Sequence, residues 1–156
     1  MTVQEAITRM RSSVHDVAME FSDAELLRFL NMGIADVAAR AIAANGTDFV
    51  HTVQVADGDA LPEGFVRTAG LFPVRIETGH VYLLDGTTSL SLRCFCIPPP
   101  VAISDEHLPL RREETQEMAV RTAVLLVLNE HEFDITQDVS ILGTLVQDAA
   151  AAEQSQ

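Results

Sequence analysis

Lysine and tryptophan are absent from this chain, and its positive charge rests on ten arginines set against 23 aspartates and glutamates. A formal net charge of −13 opposes binding to a nucleic-acid backbone, which requires clustered cations, and the one basic doublet is Arg111-Arg112. A sequence-specific DNA or RNA binder is therefore not expected. No apolar run approaches the roughly 20 residues that span a bilayer, and Met1 to Met10 carries Glu5 and no apolar core of the signal-peptide kind. The expectation is a protein without membrane attachment, cytosolic when synthesised. Cysteine occurs only at Cys94 and Cys96. On a strand these two point to one face and are awkwardly placed to pair, and a lone C-x-C with no histidine near it in sequence is a weak metal signal. Small buried hydrophobes in a reducing compartment are the simpler reading.

Catalytic signatures are missing as well. There is no G-x-S-x-G elbow and no glycine-rich phosphate loop, and His15, His51, His80, His107 and His131 stand in separate contexts. The densest polar cluster, Asn129 to Asp138, lacks the central glycine and terminal glutamate of a calcium loop, and Ile135 breaks an H-E-x-x-H helix begun at His131-Glu132. An interhelix loop with caps accounts for it. No catalytic residue, cofactor site or metal site is expected.

What is present is a globular composition, 47% hydrophobic and 21% charged, over 156 residues, enough to bury one core without covalent staples. The clearest element is FSDAELLRFLNMGIADVAARA, from Phe21 to Ala41. Ser22 and Glu25 form a capping box, Phe21 and Leu26 a hydrophobic staple, and Leu26, Leu30, Ile34, Val37, Ala41 and Ile42 an apolar stripe. Asn45-Gly46 supplies a left-handed stop, so the spacing predicts a helix over about 23–44. A second capping box, Thr2 with Glu5, opens a helix over about 3–17 whose Arg9 and Arg11 lie on the outer face.

Between Phe49 and Ile97 the pattern becomes extended. Turn signals at Asp57-Gly58, Thr78-Gly79 and Asp85-Gly86 separate alternating segments, and Leu90, Leu92, Cys94 and Cys96 alternate with Ser89, Ser91 and Arg93. Pro98-Pro99-Pro100 then ends the last strand. Glu113, Glu114 and Glu117 suit the first turns of a helix over about 112–129 that contains Met118, Ala119, Thr122, Ala123, Leu125, Leu126 and Leu128. Asp134 and Gln137 cap another over about 135–150, with Val139, Leu142, Leu145 and Val146. The fold class expected is α+β: a bundle of about four helices with a central antiparallel β insert over about 49–97, all in one domain.

The residues Ser22, Asp23, Glu25, Leu26, Leu27, Phe29, Leu30 and Asn31 resemble the opening helix of the head-to-tail connector (tail adaptor) proteins of tailed bacteriophages. Asn129-Glu130 followed by Phe133-Asp134 resembles a late helix end of the same family, and Leu61-Pro62 falls where members often carry Leu-Pro. The resemblance implies a virion neck protein, made in the host cytoplasm. It implies a homo-oligomeric ring such as a dodecamer, docked under the portal protein, joined to a tail or nozzle protein, with DNA passing through its channel. Phe29, Ile42 and Phe49 are the lateral subunit contacts expected on that reading, and Val146, Ala149, Ala150 and Ala151 the portal-facing ones. The acidity suits either a channel through which DNA slides without sticking or simple solubility. The alternative from another class is a small acidic helical regulatory or chaperone-like protein that binds a basic partner.

Overall fold

The computed structural model describes residues 1–15, 20–130 and 151. Its contacts divide the chain into two compact units, a helical one from residues 1–48 and 100–156 and a β unit from residues 49–99.

In the helical unit, α1 spans Val3–Ser13, α2 Asp23–Ala43 and α3 Glu113–Glu130. Both expected capping boxes form. The Thr2 N–H donates to Glu5 Oε2 at 2.8 Å and the Glu5 N–H to Thr2 Oγ1 at 3.1 Å. Ser22 and Glu25 repeat the exchange at 2.8 and 3.2 Å. Each pair satisfies two N–H groups that a helix start would otherwise leave open. α2 stops where Asn45 takes a left-handed φ of 61°, the Asn45 N–H reaching Ile42 O and the Gly46 N–H reaching Ala41 O, a Schellman motif. α1 ends at Ser13 rather than continuing to residue 17, because Val14 leaves helical geometry and His15 turns left-handed at φ 55°. Residues 16–19 lie outside the described set.

The capping carboxylates titrate unusually. Glu25 is held below the ordinary 4.5, first by the Ser22 N–H and then by its hydroxyl, and Glu5 is held below it chiefly by the Thr2 N–H. A carboxyl whose folded pKa is depressed stabilises the fold above its unfolded value, and that contribution is lost as pH falls through the folded value. The melting midpoint should therefore drop as pH is lowered from 6 through 4.5 toward 3. The Glu5→Gln/Glu25→Gln protein should show a shallower drop in the same series, since glutamine keeps the box without titrating.

α2 and α3 meet at small residues. Gly33, within α2, faces Ala119 and Ala123 on α3, and all three are buried. The rest of the core comes from Ile7 and Met10 of α1, Leu26, Leu30 and Val37 of α2, and Val127 of α3. Asp48, little exposed, is bonded by Arg112 Nε at 2.8 Å.

Asn31 secures the point where the chain re-enters this unit after the proline run. Its Nδ2 donates to Val101 O at 3.0 Å and its Oδ1 accepts the Val101 N–H at 2.7 Å. Truncation leaves two backbone polar groups of a nearly buried residue without partners. Asn31→Ala should lower stability by about 1–3 kcal/mol, read from urea midpoints. Asn31→Asp should lose part of the clamp, because it keeps the acceptor and discards the donor.

The β unit holds two antiparallel three-stranded sheets. In the first, β6 (Ser89–Cys96) lies between β1 (Val50–Ala56) and β3 (Phe65–Thr68), with Val53 opposite Leu92 and a bulge between Phe65 and Arg67. In the second, β5 (His80–Leu83) lies between β2 (Asp59–Ala60) and β4 (Val74–Glu77), with Ile76 opposite Val81. Val55, Val81 and Leu92 form a buried cluster joined by Val53, Phe72 and Leu83, so the two sheets share a core of their own.

The four-helix bundle carrying one β insert is thereby corrected. Among the described residues there are three helices and two three-stranded sheets, an α+β chain that is not a four-helix bundle. The central third bends at Asp57-Gly58 and Thr78-Gly79, which lets β2, β4 and β5 form a second sheet that shares a core with the first, where the sequence predicts one antiparallel insert. The helix expected over 135–150 lies outside the described residues.

Candidate assembly surface

The residues expected to meet neighbouring subunits are used inside the chain. Phe29, Ile42 and Phe49 are 4%, 2% and 2% exposed, and Phe29 also lies under the Arg28 guanidinium, 4.6 Å from its ring centre. An aromatic or aliphatic group so deeply buried has almost no surface left for a second chain. Of the residues expected to face the portal, Ala151 is helical and exposed, whereas Val146, Ala149 and Ala150 lie outside the described residues. The arginines of α1 are likewise more than a solvated face. Arg9 pairs with Glu117 of α3, and Arg11 binds Phe21 O at 2.8 Å and Asp23 Oδ1 at 2.7 Å, tying α1 to the start of α2.

Apolar surface in the helical unit that its own packing leaves partly uncovered lies along α3, and beside it Met32 of α2 is exposed. The small residues Ala119 and Ala123 occupy the buried stripe, and the larger side chains flanking them, Met118, Val124, Leu125 and Leu126, are only partly buried. A cleft of about 660 Å³ opens between α1 and α3 over Met118, Val120, Val124 and Leu125, with Arg9 and Arg121 among its polar lining. A second, of about 380 Å³, opens between α2 and α3 over Met32, Leu125 and Leu126, beside Asp36 and Arg40. Leu125 is common to both and forms a ridge between them. A ridge flanked by two grooves is the relief into which another side-chain row packs. Leu125 and Leu126 belong to the helix that the sequence predicts over about 112–129, and its apolar composition alone does not say which of its side chains are covered. The available signal was Gly33 within α2 together with Ala119 and Ala123 one turn apart, a pattern that puts the closest helix approach on small residues.

In the β unit, Leu71 is fully exposed and Leu84 is 64% exposed. They share one end of the second sheet, because Val74 lies opposite Leu83 and the Leu84 N–H donates to Pro73 O at 2.9 Å. Two carboxylates are fixed at the same end. Asp57 Oδ1 accepts the Leu83 N–H at 2.8 Å, and Asp85 accepts the Thr87 hydroxyl at 2.7 Å and N–H at 3.1 Å. Those bonds, the hydroxyl's first, hold the Asp85 carboxyl below its ordinary value, so it is charged near neutral pH.

Two further observations concern metal ligands and thiols among the described residues. Strand register places His51 opposite Cys94, a neighbour that sequence distance concealed, yet no three ligating side chains converge on a metal position. Cys94 and Cys96 are buried with their sulfurs 3.6 Å apart, and burial first, then the Cys94 thiol, pushes the Cys96 thiol up to about 12. A thiol so raised is protonated and unreactive at neutral pH. No described helix is long and apolar enough to cross a membrane. Compared with known proteins, the chain matches no family model, no curated protein and no solved structure.

Proposed function

We propose that the chain is a head-to-tail connector of a tailed bacteriophage, a structural subunit that assembles as a ring beneath the portal. The observation that supports this most is the chain's organisation. Helices α1 and α2, with the Ser22-Asp23 cap and the Glu25-Leu26-Leu27 and Phe29-Leu30-Asn31 steps, precede a β unit of residues 49–99, and α3 follows, ending at Asn129-Glu130. That is the order the resemblance implies.

On this reading subunits pack side by side through heterologous contacts that close on themselves. The open relief along α3 replaces the buried Phe29, Ile42 and Phe49 as the lateral contact. Apolar surface removed from water there offsets the entropy lost on association. Acidic side chains toward the lumen would repel DNA phosphates and keep the strand from adhering. The function requires no catalytic step, cofactor or metal.

The same acidity and clefts also serve the alternative, a small binding protein for one basic partner. Native mass spectrometry of the purified protein, alone and mixed with purified portal, separates the two. A closed oligomer, free or formed on portal, is the expected result. A monomer that ignores portal and forms a 1:1 complex with a basic protein overturns the connector.

A further inference from the structure

Asn45, Asp57 and Asp85 each stand directly before a glycine. In that setting a side-chain carbonyl can close a five-membered ring on the next backbone nitrogen, because glycine puts no side chain in the way. Two of the three are held back. Ring closure by an aspartate expels water and needs the neutral acid, whereas the Thr87 hydroxyl and N–H keep Asp85 ionised. Asp57 Oδ1 is taken by the Leu83 N–H, and the Gly58 N–H is tied to Val81 O at 2.7 Å. Asn45 expels ammonia instead and needs no proton on a carboxylate.

Asn45 is exposed at the end of α2, but the nitrogen it would react with is committed. Gly46 is buried and its N–H donates to Ala41 O at 2.7 Å, while the Asn45 N–H donates to Ile42 O at 2.9 Å. Ring closure also brings the Asn45 Cγ alongside the Gly46 nitrogen, which turns ψ out of the left-handed basin where Asn45 sits at φ 61°. The cap has to open first. We propose that Asn45 is a deamidation site gated by this helix cap, intact while the last turn of α2 is closed and reactive when it opens. In the opened chain the Gly46 nitrogen loses its proton to solvent base and bonds to the Asn45 Cγ. The Cγ–Nδ2 bond breaks, and Nδ2 takes a proton from water and leaves as ammonia. Water then opens the succinimide at either carbonyl, giving aspartate or isoaspartate. Both products weaken the cap. Aspartate adds negative charge where the α2 carbonyls already point. Isoaspartate lengthens the backbone by one methylene, so the Gly46 N–H no longer lines up with Ala41 O. The inference stands apart from the connector reading.

Peptide mapping of the full chain after incubation at mildly alkaline pH, in buffer and in guanidinium chloride, tests it. In guanidinium chloride, aspartate and isoaspartate should accumulate at residue 45 ahead of any change at Asn31, Asp57, Asp85 or Asn129. In buffer the same conversion should be slower by about tenfold or more, since only the opened fraction reacts. Gly46→Val, measured in guanidinium chloride where folding plays no part, should slow it severalfold by crowding the attacking nitrogen. Equal rates at Asn45 in the two solutions overturn the gate. Earlier reaction at another of these residues in guanidinium chloride overturns the site, and an undiminished Gly46→Val rate overturns the succinimide route.

Discussion

Gly33→Leu should abolish cooperative unfolding of the helical unit, leaving low helicity and an early, broad thermal transition. The reason is the distance between α2 and α3. A Cβ at Gly33 would overlap the Ala119 carbonyl oxygen and would stand 3.1 Å from the Ala123 nitrogen and 3.2 Å from its Cβ. The obstacle is backbone of a packed helix and cannot rotate away. Gly33→Ala tests the balance of two opposing effects. Alanine favours the helical state by about 1 kcal/mol over glycine in an exposed helix interior. Overpacking a fitted contact costs about 1–3 kcal/mol. With a backbone oxygen as the obstacle the second effect wins, so Gly33→Ala should lower the urea midpoint. Leucine adds three carbons to the same collision and has to separate the helices, uncovering Leu30 and Val127. A Gly33→Ala protein that is more stable than the parent would show that the two helices are not in this contact.

Gly64→Val should have a comparable effect confined to the β unit. Gly64 sits at φ +75°, a region that costs an L-residue roughly 1–2 kcal/mol and a β-branched one more. Its Cβ would also strike the Ile97 carbonyl oxygen and lie 3.1 Å from the Ile97 carbonyl carbon, while the Gly64 oxygen accepts the Ile97 N–H at 2.8 Å. Conformation and space thus oppose the substitution together, where at Gly33 propensity and space oppose each other. A loss of about 3–5 kcal/mol is expected, at the upper end for single substitutions. Hydrogen exchange read by segment is the suitable measurement. Amides of β1, β3 and β6 should lose protection while those of α2 and α3 keep theirs. Equal loss in both units would show that they unfold as one.

The local signals in the sequence were accurate where the chemistry is local. A capping box needs only residues three apart, so Thr2–Glu5 and Ser22–Glu25 could be read directly, as could the Asn45-Gly46 stop and the starts and ends of α2 and α3 within a residue or so. α1 was overextended because an apolar Val14 continued the helical period while the backbone had already turned at His15. The β unit was recognised as extended, but alternation along a strand does not say which strands pair, and β6 joining β1 with β3 while β5 joins β2 with β4 is a non-local outcome.

The candidate surface followed the same division. Phe29, Ile42 and Phe49 are large and apolar, and sequence alone does not distinguish a side chain that fills its own core from one that meets a neighbour. By itself the sequence determined the charge, the lack of catalytic motifs, the capped helices and the extended middle, since each depends on composition or on residues a few positions apart. Only the tertiary structure decided that the middle forms two sheets with their own core. It also decided that Gly33 brings α2 against Ala119 and Ala123, so that Leu125 is left as a ridge between two open clefts. Both outcomes depend on how closely distant segments approach, a distance set by packing and not by any local pattern of residues.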